Sequence, residues 1–115
     1  MEECVESIVL YLKSRVPGVL NTLDLAAQLA YSKGVMDLFL ESPSKVYSLM
    51  LSYMNSASAD LAFKLLFLNP LANCLKKQCV KVDSNALLRL VKLGNDVGFK
   101  KLVGGVDAHA CRDIA

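Results

Sequence analysis

Twice in this chain a small polar residue stands directly before a proline that opens an apolar stripe, at Ser42-Pro43 and at Asn69-Pro70. A Ser or Asn side chain can accept a hydrogen bond from the free amides of a helix start. Proline suits the next position, where its missing N–H would have had no partner. Behind Ser42-Pro43, the residues Val46, Leu49, Met50, Tyr53 and Met54 recur at helical spacing. The same spacing joins Val5, Ile8, Val9, Leu12 and Val16, then Leu25, Ala26, Leu29 and Ala30, then Leu87, Leu88 and Val91 behind Asp83. Pro17-Gly18 reads as the end of the first helix, and Asn21 to Asp24 as the cap of the second. Gly34 interrupts that helix before a short apolar segment, Val35 to Leu40. Asn55 to Ser58 is a break, Asn69-Pro70 starts a helix running to about Gln78, and Gly94-Asn95-Asp96 turns the chain into a last helix closed by Gly104-Gly105. Only Cys79 to Val82 is strand-like, and one strand makes no sheet. The pattern predicts an all-α, compact single-domain bundle of about five to seven helices, with about 60% helix or more and no significant sheet. The domain is expected over residues 1–105, with 106–115 a loosely held tail.

The most apolar stretch sharpens this picture. From Ala59 to Leu68 only Asp60 and Lys64 are polar. A helix apolar on all sides needs cover on all sides. The chain is 54% apolar, above the roughly 45–50% of an ordinary domain, and a small domain has much surface for its volume. These two facts predict that a second subunit covers part of the segment, with Phe63, Phe67 and Leu68 as the interface of a symmetric homodimer.

The longest uncharged run, Val46 to Ala59, contains four Ser and an Asn and falls short of the ~20 apolar residues of a membrane-spanning helix. The start, Met1-Glu2-Glu3-Cys4, is acidic where a secretory leader is basic. A cytoplasmic protein with no membrane partner is expected.

The net charge is +2 but unevenly placed: −3 over residues 1–60 and +5 over 61–115. Such halves attract each other, and the excess cations Lys76, Lys77, Lys81, Lys100 and Lys101 mark a candidate basic face. Four cysteines occur, at 4, 74, 79 and 111, with no C-x-x-C. Cys74 and Cys79 lie about 140° apart on one helix. Two readings stay open: buried free thiols, or a bond, for which Cys4 with Cys111 is the expected pair because chain ends often meet.

Catalytic machinery is not expected. The one histidine, His109, sits beside Cys111 at a spacing that does not let the two side chains face each other. No cysteine pair has the close spacing of a structural zinc site. Gly104-Gly105 lacks the Lys-Ser/Thr of a phosphate loop. No cofactor, metal or catalytic residue is assigned. Residues 22–41 follow a helix-turn-helix pattern, with Ala26 small at the crossing and Leu25, Leu29, Tyr31, Met36 and Phe39 at apolar positions. The second helix is expected to present Lys33, Gly34, Val35, Asp37 and Leu38, which include no Arg, Gln or Asn to read bases.

Tyr31 to Val35, Pro43 to Val46, Leu49, Tyr53-Met54, Ser56-Ala57 and Leu61 together resemble the small archaeal, all-helical Nitrosopumilus output domain family, over about residues 22–68. Where that family carries Gly-x-Gly-Ala, this chain has Asn55-Ser56-Ala57. The resemblance implies a helical module near a regulatory pathway, without an assigned activity or site. The expected function is a noncatalytic helical interaction module, homodimeric, in a regulatory or adaptor role, with a protein partner. The alternative is a helix-turn-helix protein that binds DNA through residues 22–41.

Overall fold

A computed structural model describes residues 2–78 and 80–104. Of these, 83% are helical, in seven helical rods. The elements are α1 (Glu2–Arg15), α2 (Pro17–Tyr31), α3 (Val35–Glu41), α4 (Pro43–Leu51), α5 (Ser56–Phe63), α6 (Asn69–Lys77), α7 (Ser84–Lys92) and α8 (Asp96–Gly104). A π-helical turn, Lys64–Leu68, joins α5 to α6 without a break. The all-α bundle expected from the sequence is what forms. The tail expected at 106–115 lies outside the described residues.

Several boundaries differ from the sequence reading, and proline explains two of them. Pro17 ends α1 at Arg15, as expected, by holding Val16 out of helical geometry, but it also occupies the first turn of α2, where its missing N–H costs nothing. Asn21 to Asp24 therefore lie inside α2 rather than at its start. Pro70 does not begin a separate rod. It cannot donate to the Leu66 carbonyl and its ring crowds that group. The chain widens just ahead of it, with the Asn69 amide reaching back to the Lys64 carbonyl across a π turn. The stop between α2 and α3 comes at Ser32, which takes a left-handed φ of 58°. Gly34 then serves as the N-cap position of α3.

The core is aromatic at its centre. All four phenylalanines are fully buried, and Phe39 touches the other three, with ring centroids 6.1 Å from Phe63, 5.3 Å from Phe67 and 6.1 Å from Phe99. Tyr47 meets Phe63 edge-on at 5.8 Å. Ile8 and Leu12 from α1, Leu71 and Leu75 from α6 and Leu87 from α7 close the rest.

This packing overturns the expected interface. Phe63, Phe67 and Leu68 are each 0% exposed within one chain. The segment around them is wrapped by α1 and α7, with α4 against α5. One chain thus supplies the layers that had been assigned to a second subunit. Its residual exposure falls on Leu61 and Leu65 instead.

The cysteine expectation is also corrected. Cys4 is bonded to Cys74, with Cα atoms 5.7 Å apart across 70 residues of sequence. The pairing with Cys111 does not form, because α1 packs along α6 and sets Cys4 against Cys74. Cys111 lies outside the described residues.

Candidate interaction surfaces

Two carboxylates borrowed from other helices organise the polar joints of the bundle. Asp24, inside α2, accepts the Val35 amide at the head of α3 at 2.9 Å. Gly34 permits this approach, since a Cβ there would lie 2.9 Å from Asp24 Oδ1. Asp96, at the head of α8, accepts the Ser44 amide at 3.0 Å and the Ser44 hydroxyl at 2.9 Å, and it also accepts the Ser42 hydroxyl. Ser42 holds the N-cap position of α4 but makes no cap bond of its own. The one sequence signal was Lys45 at the position where a capping box needs Glu or Gln.

A third joint links α4, α5 and α7. The Tyr47 hydroxyl donates to Asp60, and Lys92 Nζ donates to the other oxygen of Asp60 at 2.8 Å. Burial, then the Asp60 hydrogen bond, pushes the Tyr47 hydroxyl up to about 12. The hydrogen bond from Lys92, then that from Tyr47, holds the Asp60 carboxyl below the usual carboxylate range. Near neutrality Tyr47 keeps its proton and Asp60 stays ionised, so the trio is a cross-link rather than an acid–base pair. Lys92–Asp60 also joins the basic half of the chain to the acidic half. Among the described residues no group of three or more His, Cys, Asp or Glu converges on a metal position. His109 lies outside them.

The expected basic face divides into two places. Lys76 and Lys77 end α6, which packs on α1, and Lys76 and Lys81 border a cleft of about 330 Å³ with Asn73. Lys100 and Lys101 lie on α8, which packs on α7 and α4. Lys100 sits close enough to Glu41 to act on its carboxyl, as do Lys45 and, most strongly, Lys33.

The helix-turn-helix segment folds as two helices, and of the residues expected on its second helix Asp37 is openly exposed while Val35 and Leu38 are not. Val35 and Leu38 are each only 1% exposed, and the openly exposed side chains of α3 are Asp37 and Glu41. Carboxylates oppose contact with a phosphate backbone.

Among the described residues a largely apolar stripe is left uncovered along α2. Gly18, Thr22, Leu25 and Leu29 alternate by four, three and four residues, which puts them within about 60° of one another around the axis. Leu25 is 62% exposed and Leu29 80%. The Thr22 hydroxyl is satisfied within its own helix by the Gly18 carbonyl at 2.8 Å. At the N-terminal end of the stripe lies a hollow of about 220 Å³, lined by Gly18, Val19, Thr22, Leu23, Tyr53 and Met54. No charged residue lines it. The sequence reading assigned Leu25 and Leu29 to an apolar face and had no means of knowing that the bundle leaves them bare. Comparison of the chain with protein-family models, curated proteins and solved structures gives no match.

Proposed function

We propose that this chain is a noncatalytic helical interaction module that works as a homodimer in a regulatory or adaptor role, with α2 as its contact surface. The observation that carries the reading is the pairing of a knob and a hole on one stripe. Leu29 protrudes at one end of α2, and the Gly18 hollow opens about 16 Å away at the other. In a two-fold, antiparallel pairing of α2 with its copy, Leu29 of each subunit meets the hollow of the other, and Thr22 faces Leu25. Such an interface is self-complementary, as cyclic dimers require. The absence of charge from the stripe removes like-charge repulsion between identical surfaces. Burial of a Leu side chain contributes about 1.5–3 kcal/mol, and each subunit offers two. Asp37 and Glu41 on α3 favour this reading over DNA binding.

The register is tested by cysteine pairing in a chain carrying Cys79→Ser and Cys111→Ser. Gly18 tolerates a side chain, since a Cβ there meets nothing within 4 Å. A mixture of Gly18→Cys and Leu29→Cys proteins should form a mixed disulfide on air oxidation, while neither variant links to itself. Self-linking of Gly18→Cys would mean a parallel or different pairing.

A further inference from the structure

We propose that the corner between α7 and α8 docks on the surface of an anionic phospholipid bilayer. After Leu29, the two most exposed large apolar side chains of the described residues are Leu93 at 73% and Val97 at 67%, and both belong to this corner. They flank the turn that Gly94 makes with a φ of 71°. Cations bracket them. Arg89 lies one helical turn before Leu93, and Lys100 and Lys101 lie one turn beyond Val97. All three are exposed, and none has an ion pair among the described residues. Lys92 is spent on Asp60. The one carboxylate of the corner, Asp96, points inward to Ser42 and Ser44. Beside Lys100, the carboxyl of Glu41 is already paired with Lys33 and has Lys45 nearby.

Protruding apolar side chains ringed by unpaired cations match a bilayer interface. The apolar tips enter the acyl boundary while ammonium and guanidinium groups meet anionic headgroups. A nucleic acid would use the cations but gain nothing from Leu93 and Val97, because its phosphates carry the affinity. A partner helix would lay an apolar face here, against a hollow that carries Lys100 and Lys101 beside Val97. Such docking is peripheral: no described helix is long and apolar enough to cross a membrane.

Vesicle flotation of the intact chain tests this, using phosphatidylcholine with phosphatidylserine against phosphatidylcholine alone. The chain should float with the anionic vesicles and not with the neutral ones. Leu93→Ser/Val97→Ser and Lys100→Glu/Lys101→Glu should each lower binding at least about tenfold, with helical circular dichroism unchanged. Lys76→Glu/Lys77→Glu, which changes charge equally at the far end of α6, should leave binding in place. No flotation of the wild type overturns the proposal. So does equal loss in the Lys76/Lys77 variant, which marks diffuse attraction. Tighter binding to double-stranded DNA that ignores Leu93 and Val97 overturns it in favour of a polyanion.

Discussion

Asp96 Oδ1 accepts the Ser44 amide at 3.0 Å across 52 residues of sequence, so the start of α8 caps the start of α4. The same carboxylate takes the hydroxyls of Ser42 and Ser44. Asp96→Ala removes an acceptor shared by three donors. It should destabilise the chain by about 2–3 kcal/mol, from the lost cap and the charge-assisted bonds. Urea titration followed by circular dichroism measures this. A loss below about 0.5 kcal/mol, the level of an ordinary surface substitution, would show that water replaces the carboxylate.

Gly34 and Asp24 should behave as one unit. Gly34→Ala places a Cβ 2.9 Å from Asp24 Oδ1 and displaces the cap of α3. Each single variant is expected to cost about 1 kcal/mol. In a double-mutant cycle, Gly34→Ala should cost much less once Asp24 is already Ala. Full additivity would show that the two do not interact.

The Cys4–Cys74 bond closes a loop across 70 residues. The chain-entropy model gives about 4 kcal/mol for such a loop. Cys74→Ser should lower unfolding stability by that order. Thiol titration under denaturing, non-reducing conditions should leave Cys4 and Cys74 unreacted. Titration of all four thiols in unreduced protein would contradict the bond.

Alkali should destabilise this protein through Tyr47. Its folded-state ionisation is raised to about 12, above the ~10 of an unfolded tyrosine. The stabilisation is therefore complete below pH ~10 and is lost as pH rises toward 12. Tyr47→Phe should flatten that limb. At the acid end the sign reverses. Asp60 is held below its usual value, chiefly by Lys92, so its contribution is present above the unfolded pKa of about 4 and fades as pH falls further. Lys92→Ala should make the acid limb shallower. Stability profiles unchanged in both variants would remove the Tyr47–Asp60–Lys92 joint from the account.

Local chemistry was legible in the sequence, and tertiary partnership was not. Helix content followed from proline and spacing, and Asp83 caps α7 as read, accepting the Asn85 amide at 3.1 Å. Pro17 ends α1 as its place in the sequence implies, but its second role was not legible, because a proline after a helix and a proline opening the next one look alike in sequence. The Phe63–Phe67–Leu68 segment shows the harder limit. Its composition demands cover on all sides, yet nothing local says whether one chain or two provides it. Asp24, Asp96 and Asp60 act on partners eleven or more residues away. The bare stripe of α2 emerges only once every other helix has been placed.

Sedimentation equilibrium of the wild type and of Leu25→Lys/Leu29→Lys tests the central claim most directly. Both side chains are exposed in the single chain, so the variant should keep its helical spectrum. The account predicts a wild-type mass of two chains at high micromolar concentration and a variant mass of one. A wild type that is monomeric at that concentration, or a variant that stays dimeric, would contradict self-association through α2.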